Sequence, residues 1–171
     1  MKPILILLFT AVMFSACNKN SDVNGACYIN PQPYVYSQGG ARIIFPTAFT
    51  PNGDGRNEYF GPLGLTGINS FSMTISDKDG NIMFRTIDLY TQGWDGHTNT
   101  GIQLATGNYT VSFQFTTVNG DHIDQSTCVA LVDYSTAGCI PRPLTGNYYF
   151  PDMIDVSNTN HYFGTTEYVC P

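Results

Sequence analysis

The sequence predicts an all-β fold, an antiparallel β-sandwich, on three observations. Two segments, residues 71–85 and 109–132, alternate apolar and polar side chains with period two. Each is broken by a turn dipeptide, Asp79-Gly80 in the first and Asn119-Gly120 in the second. Tyrosine and phenylalanine are plentiful, at 11 each, while charged residues make up only 12% of the chain; aromatic side chains suit the half-buried face of a pleated sheet. No stretch after residue 17 shows the spacing of an amphipathic helix.

The chain opens on a targeting pattern. Lys2 supplies a short basic region, residues 4–14 are apolar apart from Thr10, and Ser15 and Ala16 are small. This layout predicts a secretory signal peptide over residues 1–16. The apolar run is about 11 residues, short of the ~20 a spanning helix needs. The order Phe14-Ser15-Ala16-Cys17 resembles the bacterial lipobox, with Phe14 where leucine is usual. That resemblance implies lipidation of Cys17, each buried CH₂ of the acyl chains contributing about 0.8 kcal/mol. Asn18 follows rather than aspartate, which by analogy implies sorting to the outer membrane. The alternative is an ordinary signal peptide followed by an unmodified cysteine.

Loss of residues 1–16 removes Lys2 and no acidic residue, so the acidic excess grows beyond the net −6 of the whole chain. No basic patch is present, which excludes nucleic acid as an expected partner. Contact with anionic lipid is expected through the anchor alone. Four cysteines remain after Cys17: Cys27, Cys128, Cys139 and Cys170. An even number in an exported chain suggests two disulfides, and three pairings are open. The expected pairs are Cys27–Cys128, tying the N-terminal segment to the last core strand, and Cys139–Cys170, closing the tail on itself.

Residues 17–40 read as a lipidated N-terminus and linker rich in Asn, Ser, Gly and Pro, ending at Gly39-Gly40. Strand-like sequence begins at Arg42, with Ile43, Ile44 and Phe45 stopped by Pro46. Phe71, Met73 and Ile75 alternate with Ser72, Thr74 and Ser76. Asp77-Lys78-Asp79-Gly80 then turns the chain, and Ile82 and Phe84 lie on the return strand. A turn-rich stretch surrounds Gly93-Trp94-Asp95-Gly96, where Trp94 is expected in the core. In the second hairpin Tyr109, Val111, Phe113 and Phe115 face one way, and Val129 and Leu131 lie on the return. Tyr109 enters its strand just after Gly107, a placement suited to a tyrosine corner; this favours an immunoglobulin-like sandwich over a barrel. The domain is thus expected over 41–132. Residues 133–171, with Pro141, Pro143 and Pro151, read as a disulfide-closed extension packed on the sandwich. A strand or two is expected there, around 148–150 and 162–169.

Three motifs carry a family resemblance. The first is Phe45-Pro46-Thr47-Ala48-Phe49-Thr50-Pro51-Asn52-Gly53-Asp54-Gly55-Arg56-Asn57-Glu58-Tyr59-Phe60. The second is Gly93-Trp94-Asp95-Gly96. The third is Thr106-Gly107-Asn108-Tyr109 with its alternating strand and the Asn119-Gly120 turn. In this order they resemble the gliding-motility-associated C-terminal domain of Bacteroidetes surface proteins, a module that also acts in sorting for type IX secretion. The resemblance covers roughly half of the chain and implies the sandwich fold. There are departures. Glu58 replaces the usual aspartate, Asp77-Lys78-Asp79-Gly80 stands where Asn-Arg-Trp-Gly is common, and about 40 residues with two cysteines follow the domain. Sorting modules end their chains, so the resemblance carries the fold over better than the sorting role.

Two groups of residues are candidate sites. Asn52, Asp54, Asn57 and Glu58 place side-chain oxygens around two glycines, a composition suited to calcium, which takes six to eight oxygens. Asp77, Asp79 and Asp95 could add ligands if the fold brings them near. The spacing is not that of an EF-hand, and the alternative is an Asx-type turn whose side chains bond their own backbone. Tyr148, Tyr149, Phe150 and Tyr162 form an aromatic run that would serve as a binding platform if exposed, or would pack on the sandwich if not. His97, His122 and His161 are scattered, with no HExxH or GxSxG motif, and no catalytic residue or other cofactor is expected. The expected function is a non-catalytic cell-surface lipoprotein, a structural or adhesion module beside the gliding and secretion machinery. The alternatives are a glycan- or protein-binding module and a type IX sorting domain.

Overall fold

Among the described residues eight strands form, in the order β1 (Tyr34–Gln38), β2 (Ala41–Phe45), β3 (Ala48–Phe49), β4 (Leu63–Thr66), β5 (Ile68–Ser76), β6 (Ile82–Thr86), β7 (Gly107–Thr117) and β8 (His122–Leu131). The computed structural model describes residues 27–30, 32–90, 93–132, 148–158 and 163. The signal peptide, Cys17, Cys139, Cys170, Tyr162 and nearly all of the strand expected over 162–169 lie outside the described residues. The strands make two sheets, one of three strands in the order β1-β2-β4 and one of five in the order β3-β8-β7-β5-β6.

Both expected hairpins form. β5 and β6 pair antiparallel, with Ile75 opposite Phe84, across a turn in which Gly80 N–H donates to the Asp77 carbonyl at 3.1 Å. β7 and β8 pair along their length, from Gly107 opposite Leu131 to Thr116 opposite His122. Period two explains the burial: Phe71, Met73 and Ile75 on β5 and Tyr109, Val111, Phe113 and Phe115 on β7 are all buried. Between the sheets they meet Ile43 and Phe45 from β2, with the Phe45 and Phe113 rings 4.4 Å apart. Fully burying a side chain of this size contributes about 1.5–3 kcal/mol, so the β2–β7 contact is central to the sandwich. Trp94 lies in the same core, fully buried, as expected.

Three features differ from the sequence expectation. Residues 34–38, placed in a linker, form β1, hydrogen-bonded to β2 across the Gly39-Gly40 turn. The reason is packing: Tyr34 and Tyr36, two apart and so on one face, set their rings edge-on against Phe113 and Phe115 at 4.8 and 5.1 Å. The sheets are also not wholly antiparallel. β3 runs parallel to β8, with Ala48 opposite Ala130 and Phe49 opposite Leu131. Finally, residues 148–150 form no strand and lead into a 3₁₀ turn at Pro151–Met153. They still bond the sandwich, because the Tyr149 carbonyl accepts from Thr47 N–H at 2.9 Å. Proline at 151 supplies no N–H with which to extend a ladder.

The disulfide Cys27–Cys128 forms, with Cα atoms 5.9 Å apart. It fixes the start of the described chain to β8. Asn108 of β7 adds to the tether by donating from Nδ2 to the Cys27 carbonyl at 3.1 Å.

Candidate functional site

The loop between β3 and β4 uses its own oxygens. Asn52 Oδ1 accepts from Asp54 N–H at 3.0 Å, and Asp54 Oδ1 accepts from Arg56 N–H at 2.8 Å. Glu58 spans the loop, its two carboxylate oxygens taking Gly53 N–H at 3.0 Å and Gly55 N–H at 2.8 Å. These are charge-assisted bonds to backbone donors. Asn57 is the described non-glycine residue at positive φ, 47°, a conformation asparagine tolerates better than most side chains. Its Oδ1 accepts from Asp152 N–H at 2.9 Å and so ties the loop to the 3₁₀ turn. All four candidate calcium ligands therefore accept from backbone N–H groups, and Asn52 and Asp54 do so in Asx-type turns. Among the described residues no three His, Cys, Asp or Glu side chains gather in a way that could hold a metal ion. Asp77 serves its own hairpin turn, accepting from Asp79 N–H, Asn81 N–H and Asn81 Nδ2 at 2.8–2.9 Å. The Asn81 side-chain bond is the largest influence holding the Asp77 carboxyl below the usual carboxylate range.

The second and third motifs lock onto the first. Phe60 and Trp94 exchange backbone bonds of 2.7 and 2.8 Å. Gly93 makes this approach geometrically accessible: it sits at φ +110°, and a Cβ there would lie 2.4 Å from the Phe60 carbonyl oxygen. The Trp94 ring lies 5.0 Å from Phe49 and 5.1 Å from Tyr109, and its Nε1 donates to the His97 carbonyl at 2.8 Å. Leu104 N–H donates to the Gly96 carbonyl at 3.0 Å, and the Tyr109 hydroxyl donates to the Ala105 carbonyl at 2.8 Å, completing a tyrosine corner. The Asn119-Gly120 turn closes the far end of β7, while the Phe60, Trp94 and Tyr109 parts of the motifs meet at its Gly107 end.

Two open grooves flank that end. One, of about 710 Å³, is lined by Tyr59, Asp88, Tyr90, Asp95, His97 and Asn99 among others. The other, of about 480 Å³, is lined by the 53–59 loop and Pro151. Tyr59 borders both. In the larger groove Tyr90 is 85% exposed and Tyr59 42%. Its carboxylates are held in place, Asp88 Oδ1 accepting from Tyr90 N–H at 2.9 Å and Asp95 Oδ1 from His97 N–H at 3.0 Å. Sequence reasoning missed this groove. The one signal was an aromatic residue, Tyr90, set among turn formers where the period-two pattern stops.

The aromatic run at 148–150 lies against the sandwich. Phe150 is 4% exposed and packs with Ala48 and Ala130, with Tyr148 and Met153 beside it. Tyr148 and Tyr149 are half-buried, and the Tyr149 hydroxyl accepts from Gln32 Nε2 at 3.3 Å. Phe150 is therefore an anchor for the extension and is not offered to a ligand: of the two outcomes the sequence left open, packing on the sandwich is the one taken at Phe150, because its ring is buried against two small alanines.

Residues 43–131 match a family model described as the CHU_C Type IX secretion signal domain. No curated protein matches the chain. Among solved structures the chain is similar to the crystal structure of CopC from Methylosinus trichosporium OB3b, at 14% identity and a TM-score of 0.34, over 61% of this chain and 98% of that one.

Proposed function

The chain belongs to the type IX secretion signal domain family, and from that premise we propose that it is a non-catalytic surface lipoprotein, anchored through Cys17 and acting as a structural or adhesion module beside the secretion and gliding machinery. The observation that carries this reading is how the signature residues are used. Gly93, Trp94, Tyr109 and the Asn52–Glu58 loop spend their polar groups on the backbone and their rings on the core. A signature used in this way specifies a scaffold. The Cys27–Cys128 disulfide adds support for an exported location, since such bonds persist in oxidising compartments. The lipobox-like Phe14-Ser15-Ala16-Cys17 supports an outer-membrane anchor.

The test is intact mass of the native protein taken from membranes, before and after reduction, with globomycin-treated cells as control. A lipid-sized addition on a chain starting at Cys17, absent after globomycin, is the expected result. A chain starting at Cys17 without lipid would remove the anchor from the proposal.

A second reading, a sorting domain processed near residue 40, is favoured by the family match itself. The fold gives it a distinct signature. Cleavage at Gly39-Gly40 would leave β1 hydrogen-bonded to β2 and Cys27 still joined to Cys128. The N-terminal piece would then separate only after reduction and denaturation, which the same mass measurement reads.

A further inference from the structure

We propose that the groove between Tyr59 and Tyr90 is a binding site for a neutral glycan. The inference gives the adhesion reading a ligand class and rests on that reading for its biological setting only. Three observations support it. The walls carry two exposed planar rings, Tyr59 and Tyr90. A tyrosine ring offers an apolar face with a polar tip, which fits the C–H face and hydroxyl rim of a pyranose. Polar groups that line the groove with these rings are fixed in advance: one oxygen of Asp88 and one of Asp95 are held by backbone N–H groups, which leaves the other oxygen of each, among the described residues, for ligand hydroxyls. His97 stands beside Asp95, its Nδ1 3.3 Å from Oδ1. A few preorganised polar groups beside aromatic rings are what orient a small ligand. The two carboxylates repel anionic polymers, so the class is neutral, and Tyr59 borders the second groove as well.

A flat protein partner is the competing occupant. The larger groove is open and its lining is polar and carries two carboxylates, whereas protein interfaces centre on a desolvated core depleted of charged residues. The geometry therefore favours the sugar.

The experiment uses the full purified chain and four neutral hexasaccharides, cellohexaose, laminarihexaose, chitohexaose and mannohexaose, in titration calorimetry and amide NMR. At least one is expected to bind, with shifts centred on Tyr59, Tyr90, Asp95 and His97. Tyr90→Ala lies on an exposed turn and is expected to weaken binding by about tenfold or more, a 1.4 kcal/mol change. Asp95→Asn keeps the turn acceptor while removing the charge, and is expected to weaken binding with an unchanged melting temperature. Absence of binding by all four sugars at millimolar concentration overturns the proposal. So does binding that both variants leave intact, or a protein captured at this groove by a chain that binds no sugar. Lipidation of Cys17 affects none of these readings, so failure here and failure of the anchor are separable.

Discussion

The Tyr109 hydroxyl donates to the Ala105 carbonyl at 2.8 Å, reaching back across the turn through which the chain enters β7. The same ring lies 5.1 Å from Trp94, so one side chain joins the turn, the strand and the core. Tyr109→Phe keeps the ring and removes the hydrogen bond. The expected cost is about 0.5–1.5 kcal/mol, read as a lower urea midpoint with an unchanged slope. An equal midpoint would mean that the ring alone fixes the corner.

Tyr109 is expected to contribute to the alkaline limit of the fold. Burial, and then the charge of Asp77, raises its phenol above the ordinary 10.0. Burial, with Tyr36 beside it, does the same for Tyr34. A group whose pKa is raised on folding contributes stability that is complete below the unfolded value, near 10, and that falls as pH rises through the folded value. Thermal melts are expected to be level up to about pH 9.5 and to drop above about pH 10.5. The double variant Tyr34→Phe, Tyr109→Phe is expected to flatten that drop. A drop of equal size in the double variant would assign it to other groups.

The two glycines around Trp94 are expected to differ in their tolerance of a methyl group. At Gly93 the new Cβ meets the Phe60 backbone, at 2.4 Å from its oxygen, and the bridge between two motifs must open. Gly93→Ala is expected to cost about 3 kcal/mol or more, from the strained φ and the lost bridge together. At Gly96 the Cβ meets the tip of Leu131 at 2.8 Å and Pro51 at 3.2 Å. The leucine tip can move, so Gly96→Ala is expected to cost less, roughly 1–2 kcal/mol. Chemical denaturation of both variants gives the order, and a reversed order would contradict the backbone clash.

Cys27 and Cys128 are 101 positions apart, so their bond closes most of the domain into one loop. Removing a native bridge from a small exported domain costs about 2–5 kcal/mol. Cys27→Ser with Cys128→Ser is expected to lose that amount and to free residues 27–33 for proteolysis. The β1 hairpin is expected to stay protected, because the Tyr34 and Tyr36 rings remain on Phe113 and Phe115. Limited proteolysis with mass mapping reads both outcomes, and simultaneous release of residues 34–38 would show that the bridge, rather than the rings, holds β1.

These contacts explain what was legible in the sequence. β5, β7 and β8 were legible because each buries one face, and a one-residue slip would turn Phe71, Val111 or Val129 to solvent. β1 was hidden because only two residues, Tyr34 and Tyr36, carry the alternation amid Pro33, Gln38 and Gly39. The parallel pairing of Ala48 with Ala130 joins positions far apart in the chain and leaves no local periodicity. The Asn52–Glu58 loop has one composition for two outcomes, and only its geometry turns the oxygens onto the backbone. The groove at Tyr90 depends on which turns lie side by side, which no local pattern records.

The outer edge of β6 yields the last prediction. An unpaired strand edge is a template for another chain, and here residue 99 occupies it. Asn99 Oδ1 accepts from Arg85 N–H at 2.8 Å, its Nδ2 donates to the Arg85 carbonyl at 3.2 Å, and its own N–H donates to the Met83 carbonyl at 3.2 Å. One side-chain amide thus stands in for a neighbouring strand. Asn99→Ala is expected to cost about 1 kcal/mol, since these groups are near water and can partly rehydrate. The larger effect is expected in association. The freed Arg85 groups should pair between molecules, seen as a concentration-dependent mass in size-exclusion chromatography with light scattering. Asn99→Asp keeps the acceptor, loses the donor and adds a charge at the edge, so it should be destabilised yet remain monomeric. If Asn99→Ala stays monomeric at every concentration, the amide serves the local turn and guards no edge.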